Sequence, residues 1–230
     1  MSKVTVKDKD IVVPGEILAT GMDNLPGQGT YREGENIIAS RLGLVQLDGR
    51  AIKLIPLSGR YIPKKGDKII CKVIDVSFSG WRLDTNSPYS AMMSLKDATS
   101  DFIARGADLT QYYDLGDNVV SEIINVTSQK LVDVTMKGPG LGMLKGGRII
   151  EVSSNKVPRI IGKAGSMVSM IKDATGCIIT VGQNGLIWIQ GPPEKELLAI
   201  QTIRKIESES HLSGLTDKIK VYLEKETNKK

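Results

Sequence analysis

Two glycines three residues apart, Gly162 and Gly165, interrupt a helical pattern in the last third of this 230-residue chain. Downstream of the pair, Val168, Ile171 and Ala174 recur at intervals of three, which places them on one face of a helix. The residues just upstream form another short helical stretch. Because glycine has no Cβ, the main chain between the two helices is open to close approach by another molecule. The segment is therefore restricted to two short helices joined by a tight, glycine-bounded turn.

The elements around the glycine pair follow the order β-α-α-β-β-α. A strand over 148–152 precedes the pair, strands over 177–181 and 186–190 follow it, and an amphipathic helix over 193–210 comes next. Together with the motif I-I-G-K-x-G, this order resembles a type I KH domain, which we expect over 146–230 with its C-terminal helices. The resemblance implies that the glycine loop clamps four nucleotides of single-stranded RNA.

The chemistry of this loop suits a phosphate backbone. Gly162 and Gly165 let phosphates approach the main chain, and the N–H groups at the start of the Ser166 helix point toward them. Lys163 adds a positive charge, and Ile161 and Ile179 are expected to form an apolar floor under the bases. The alternative is that the glycine pair only makes a tight turn between two helices. The candidate RNA contacts in this third are Lys156, Arg159, Ile161, Gly162, Lys163, Ala164, Gly165, Ser166 and Ile179.

The middle third contains an internal repeat, in which residues 66–76 recur as 116–126. Both copies open on Gly-Asp and continue as β-branched strands. With three shorter strands, they predict a small closed barrel of the OB type. Two Gly-Asp-initiated strands on such a unit resemble the S1 RNA-binding domain, which we expect over 63–138. The alternative is an OB-like barrel that binds protein instead of nucleic acid.

Three further candidate RNA contacts, Phe78, Trp81 and Arg82, cluster at the first hairpin turn of this predicted barrel. Aromatic side chains at the loop tips of OB folds stack on bases, and arginine adds a phosphate contact. The alternative for Trp81 is a structural role, in which its side chain seals one end of the barrel.

The first sixty residues are predicted to be β-structure and to form a domain over 1–62. Asp48-Gly49 between two apolar runs is a strong hairpin signal, whereas the polar, glycine-punctuated segment 21–34 is expected to be a long loop. A unit of this size is expected to bury little core by itself. We therefore expect it to serve as a docking surface.

Several kinds of catalytic site are excluded because the chain has few of the residues that they require. His211 is the single histidine, expected at a helix end, while Cys71 and Cys177 lie far apart in apolar runs that suit buried small hydrophobes. The chain has no Walker A pattern. Four acidic residues of irregular spacing are interpreted as solvated loop charge instead of metal ligands: Asp97, Asp101, Asp108 and Asp114. We therefore predict no catalytic residue, no metal and no cofactor.

The net charge of +5 is concentrated near the end of the chain, where residues 146–230 carry 13 Lys/Arg and 9 Asp/Glu. A basic excess of this size is compatible with a polyanionic partner. No run of eighteen apolar residues exists, and the first ten residues alternate in charge without an apolar segment. We therefore expect a cytoplasmic protein without a membrane segment.

The expected fold is multidomain, mainly β plus α+β, with an N-terminal β unit, an S1-type OB barrel and a type I KH domain. With V-V-P-G-E at 12–16 and G-x-N-G at 182–185, this order resembles the RNA-binding cap subunits of the archaeal exosome. The resemblance implies a non-catalytic subunit that binds single-stranded RNA. Three such subunits sit on a ring of RNase PH-like proteins and guide RNA into its entry pore for 3′→5′ phosphorolysis.

Two other functions stay open from the sequence. One is a nuclease that carries its own RNA-binding modules, which incubation with labelled RNA, Mg²⁺ and phosphate would reveal. The other is a free-standing S1/KH factor in translation or RNA chaperoning, which would not co-purify with a ring.

Overall fold

The chain folds into two compact units, Met1–Gly59 and Arg60–Lys230. The structure is a computed structural model that describes residues 3–101, 103–104, 106–210, 212 and 214–227. His211 lies outside the described residues. Among the helices that are described, none is long and apolar enough to cross a membrane.

The first unit consists of two small sheets, with strand orders β1-β3-β6-β5 and β2-β7-β8-β4. Its strands are β1 (Lys3–Val4), β2 (Ile11–Val12), β3 (Ile17–Thr20), β4 (Leu25–Pro26), β5 (Thr30–Glu33), β6 (Asn36–Ala39), β7 (Gly43–Asp48) and β8 (Ala51–Pro56). As predicted, β7 and β8 form a hairpin at Asp48-Gly49, in which Asp48 pairs with Ala51 and Gly49 and Arg50 make the turn. The expectation of a long loop over 21–34 is wrong, because β4 and β5 lie within this segment. Gly34 at φ +58° allows β5 to turn back onto β6.

Both sheets contribute to a core within the first unit. The buried residues are Val12, Leu18, Ala19, Ile37, Ala39, Val45, Ile52 and Leu54. The expectation that this unit buries little core by itself is therefore wrong. On the outer face of the second sheet, Ile11 pairs with Leu44 and Leu44 with Ile55, so the three side chains form one row. Ile11 is 65% exposed and Ile55 50% exposed in this outer row.

The second unit begins with a closed barrel. Its elements are β9 (Lys68–Ser77), β10 (Gly80–Asp84), β11 (Ala91–Ser94), α1 (Leu95–Ala98), β12 (Asn118–Val126), β13 (Val132–Thr135) and β14 (Gly142–Leu144). The strands follow the order β13-β11-β10-β9-β12, and β13 pairs back onto β12 to close the barrel. The two copies of the repeat are the antiparallel neighbours β9 and β12, with Ile70 opposite Val120.

The KH domain follows the barrel. Its elements are β15 (Arg148–Glu151), α2 (Val157–Ile161), α3 (Ser166–Thr175), β16 (Ile178–Val181), β17 (Leu186–Gln190), α4 (Pro193–Ser208) and α5 (Leu215–Thr227). The sheet is antiparallel, with β17 between β15 and β16. One core contains apolar side chains from this sheet and from all four helices.

An apolar contact joins the KH sheet to the barrel. Trp188 on β17 is 6% exposed and packs in one cluster with Ile70 on β9 and Val120 on β12. Its indole Nε1 donates to the carbonyl of Gly146 at 2.8 Å, so the polar end of the ring is also satisfied. The two domains therefore share buried surface.

The G-x-N-G turn between β16 and β17 forms a second, polar contact with the barrel. Asn184 is 1% exposed, and its Nδ2 donates to the carbonyls of Ile70 at 2.7 Å and Thr85 at 2.8 Å. Its Oδ1 accepts from the Ile70 N–H at 3.3 Å. A Cβ on Gly182 would lie 2.8 Å from that same nitrogen, so only glycine fits there. The motif thus clamps the KH domain onto strand β9.

Changing Asn184 to Ala should destabilise the second unit strongly. The substitution leaves three buried backbone groups without their partner, and each such group costs about 1–3 kcal/mol. We expect a loss of roughly 3 kcal/mol and a fall in Tm of roughly 6–12 °C. Gln183→Ala is the matched control, because the hydrogen bond from Gln183 to the barrel comes from its backbone N–H, at 2.8 Å from the Lys68 carbonyl, and survives the substitution. Equal melting temperatures for the two variants in calorimetry would contradict the clamp.

Candidate nucleic-acid interface

The glycine pair shapes a compact loop between α2 and α3. Gly162 has φ +74° and ψ 175°, Ala164 has φ +52° and ψ 30°, and Gly165 has φ +80° and ψ 6°. A Cβ on Gly162 would lie 2.7 Å from the Cβ of Met167 and 2.8 Å from its backbone nitrogen. Gly162 is thus required by both space and backbone angle, whereas Gly165 faces open space and is required by its angle alone.

The loop presents a positively polarised surface to solvent. Lys163, Ala164 and Ser166 are exposed, and α3 begins without a side-chain cap and without an acidic residue in its first turn. The left-handed Gly165 followed by the right-handed Ser166 is the backbone pattern of an anion-binding concavity. Because the helix dipole adds positive potential at this end, the loop can bind a phosphate group.

The apolar floor differs from the one predicted. Ile179 is only 2% exposed and belongs to the KH core, so it cannot contact a base. Ile161, directly before the loop, is partly buried against the KH core, as are Val168 and Val181, which the sequence interpretation did not include in the floor. The alternation in β16 could have indicated this, since residue 179 faces the helices and residue 178 the opposite side.

Lys156 and Arg159 lie upstream of the loop, but their donors point to the end of α4 and to the residues just after it. Lys156 Nζ donates to the Glu207 carbonyl at 3.0 Å. Arg159 donates to the Ser210 carbonyl at 3.0 Å and to the Leu212 carbonyl at 3.3 Å. Lys156 and Arg159 thus donate hydrogen bonds within the protein, whereas the side chain of Lys163 lies on the exposed loop.

In the barrel, Trp81 is a core residue. It is fully buried, its Nε1 donates to the Tyr113 carbonyl at 2.9 Å, and its ring meets that of Tyr113 edge-on at 5.4 Å. A base cannot stack on it, so the stacking interpretation of Trp81 is wrong and the structural alternative holds. The sequence alone did not decide between the two, because closure of the barrel determines whether the face of β10 that carries Trp81 is covered.

Phe78 and Arg82 do lie on the outer surface of the barrel. Phe78 is 95% exposed at the hairpin tip, and Arg82 on β10 is exposed opposite Met92 on β11. A groove of about 370 Å³ lies beside them, lined by Ser79, Met92, Ser94, Lys96, Asp97, Ile124 and Asp133. The exposed aromatic ring and guanidinium form a second surface suited to a nucleic-acid strand, and the groove beside them carries one cation, Lys96, and two carboxylates, Asp97 and Asp133.

The remaining reactive side chains have structural roles. Burial raises the pKa of the Cys71 thiol to about 12, so it stays protonated. Asp108 accepts bonds from the Thr110 hydroxyl and N–H, which hold its pKa below the usual range. Asp97 accepts from the Ser94 hydroxyl at 2.5 Å. Among the residues that the structure describes, no three potential metal ligands gather in one place.

The fold and these two surfaces define a class of protein, the multidomain RNA-binding proteins that join an OB-type barrel to a KH domain. Comparison with known proteins narrows the class. A family model described as the N-terminal region of exosome complex exonuclease RRP4 matches residues 11–48, and the KH domain model matches residues 147–205.

Curated relatives match almost the whole chain. Exosome complex component Rrp4 of Pyrococcus furiosus is 45% identical, over 96% of this chain and 84% of the relative. The Thermococcus kodakarensis component of the same name is 43% identical, over 97% of this chain and 88% of the relative. A crystal structure assigned to an exosome complex RNA-binding protein is 32% identical, with a TM-score of 0.65, over 74% of this chain and 98% of that chain. The chain belongs to the Rrp4 family of archaeal exosome components, which confirms the resemblance and the fold class inferred from the sequence.

Proposed function

We propose that the chain is a non-catalytic RNA-binding cap subunit of the exosome. It binds single-stranded RNA and guides the strand into the entry pore of a phosphorolytic ring for 3′→5′ degradation. The observation that carries this proposal is the loop at Gly162–Gly165, where an uncapped helix N-terminus and the exposed Lys163 offer a phosphate site.

The barrel extends the proposed RNA surface. Phe78 supplies a ring that bases can stack on, and Arg82 and Lys96 supply positive charge. In this proposal the KH loop holds the phosphate backbone while the barrel contacts the bases. Because Asn184 and Trp188 fix the two domains to each other, both surfaces can act on one strand.

The first unit is proposed to dock the chain onto the ring. Its outer row of Ile11, Leu44 and Ile55 is a continuous apolar surface, and such surfaces mark protein contacts. The partners proposed are RNase PH-like ring subunits with three copies of this chain per ring, and the proposed compartment is the cytoplasm. The exosome relatives and the match of the RRP4 N-terminal model to residues 11–48 support this assignment.

Purified protein tests the proposal directly. Incubated alone with labelled RNA, Mg²⁺ and phosphate, the chain should bind single-stranded RNA and leave it intact. Mixed with the ring, it should co-elute in size-exclusion chromatography. Degradation by the chain alone would favour the nuclease alternative, and RNA binding without co-elution would favour the free-standing factor.

Phe78→Ala should weaken RNA binding roughly tenfold, because stacking of a base on an aromatic ring contributes about 1–3 kcal/mol. Arg82→Ala should weaken binding by a similar factor. Leu115→Ala is the control, since Leu115 is also apolar and 63% exposed on the barrel unit. Trp81→Ala should instead unfold the barrel. RNA affinity is measured by fluorescence anisotropy. If Phe78→Ala and Arg82→Ala bound RNA as tightly as the parent, the barrel would not be part of the RNA-binding surface.

A further inference from the structure

Helix α5 lies beyond the segment that matches the KH family model, which ends at residue 205. It nevertheless belongs to the KH core, because Leu215, Ile219 and Leu223 are each at most 3% exposed. Helix α5 packs against α3, the helix that begins directly after the glycine loop. The downstream side of the loop is thus supported by a helix outside the standard domain.

The upstream side of the loop is tied to the same region. Lys156 directly precedes α2 and Arg159 lies within it. The three hydrogen bonds that they donate go to the carbonyls of Glu207, Ser210 and Leu212. Cations are favourable at a helix C-terminus because its carbonyls carry partial negative charge. In addition, Glu207 Oε1 accepts from the Ser153 N–H at 2.8 Å.

From these contacts we infer that the end of α4, Ser210 and Leu212 beyond it, and α5, which together we name the brace, position the glycine loop for RNA. In this arrangement Lys156 and Arg159 are positioning residues and do not contact phosphate. The inference rests on the proposed function of the loop as an RNA site.

The loop needs such support because its backbone is strained. Ala164 has a left-handed conformation, with φ +52°, which costs free energy for a residue with a Cβ and persists only where the surrounding structure enforces it. Helices α2 and α3 hold the two ends of the loop, and the brace contacts both helices. Loss of the Arg159 bonds should therefore loosen the loop itself, even where the fold persists.

The first test is hydrogen exchange of the loop amides, residues 163–167, in the full chain without RNA. Arg159→Gln should accelerate their exchange at least fivefold, because it removes the two charge-assisted hydrogen bonds to the Ser210 and Leu212 carbonyls. Arg159→Lys keeps the charge but loses the guanidinium that donates to both carbonyls, so it should also accelerate exchange. Lys195→Gln is the control, because Lys195 is a cation in the first turn of α4, at the opposite end of that helix from Glu207. Barrel amides should exchange at the parent rate in every variant.

The second test is RNA affinity as a function of salt, measured well below the melting temperature. A positioning role predicts that Arg159→Gln and Arg159→Lys both weaken binding about fivefold, with the parent slope of log affinity against log salt. A phosphate contact predicts that Arg159→Gln flattens this slope by about 0.7 and that Arg159→Lys restores it. That result, or loop exchange at the parent rate in both variants, would overturn the inference. Absence of RNA binding by the parent would refute the proposed function instead, and hydrogen exchange would still decide whether the brace holds the loop.

Discussion

A chain that lacks residues 1–59 should no longer associate with the exosome ring, while residues 60–230 should stay folded and bind RNA. The boundary follows the division of the molecule into two compact units, each with a core of its own. Removal of the first unit takes away the outer row of Ile11, Leu44 and Ile55 without removing a core residue of the barrel or the KH domain. Size-exclusion chromatography with the ring measures association, and circular dichroism checks that the fragment is folded.

Point variants separate loss of the docking row from loss of the whole unit. In the full chain, Ile11→Glu combined with Ile55→Glu places two charges on a surface that would be desolvated on docking. We expect ring association to fall at least a hundredfold, because each buried unpaired charge costs several kcal/mol. Val4→Glu is the control, because Val4 is also apolar and 39% exposed but lies on β1 of the other sheet, so this variant should bind the ring normally. Normal ring binding by the double variant would show that the docking surface does not include this row. Normal ring binding by the chain without residues 1–59 would show that the first unit does not dock onto the ring.

The sequence predicts the KH loop well because its signal is local. Gly162 and Gly165 are specified by their own backbone angles, and Gly162 also by a neighbour five residues away, Met167. The hairpin at Asp48-Gly49 is predicted for the same reason. Turn chemistry acts within a few residues, so the pattern of residue types carries it in full.

Contacts between distant segments explain most of what the sequence did not predict. Arg159 is an exposed cation near an RNA motif, but its hydrogen-bond partners lie about fifty residues further along the chain. Asn184 belongs to a motif that was identified by its pattern, yet its partner Ile70 is 114 residues away. Burial of Trp81 and Ile179 depends on which face of a strand the rest of the fold covers. Charge and periodicity identify candidate residues in such cases, and the tertiary structure decides what they contact.

The double substitution of Lys163 and Ala164 to Asp should abolish most RNA binding by the KH loop. It removes one positive charge and adds two negative charges where phosphates are proposed to lie. At about 4 Å in water each change contributes roughly 1 kcal/mol, so we expect affinity to fall about a hundredfold at low salt. The slope of log affinity against log salt should also flatten by about 0.7, the equivalent of one phosphate contact on a single strand.

The fold should survive this double substitution. Both residues are exposed, and neither belongs to the KH core. Aspartate adopts the left-handed conformation of residue 164 more readily than alanine does, so the backbone at φ +52° is not further strained. Ring docking should be unchanged, because it is assigned to the first unit. A melting temperature close to that of the parent would therefore show that any loss of affinity comes from charge.

A neutral pair of substitutions, Lys163→Gln with Ala164→Asn, separates loss of attraction from added repulsion. It removes the same cation, suits the same backbone and adds no negative charge, so its affinity should fall only about fivefold, while its salt slope flattens equally. If the Asp pair bound single-stranded RNA as tightly as the parent at low salt, the KH loop would not be an RNA contact. Phe78, Arg82 and the barrel groove would then have to hold the strand, and the effects of Phe78→Ala and Arg82→Ala should be correspondingly larger.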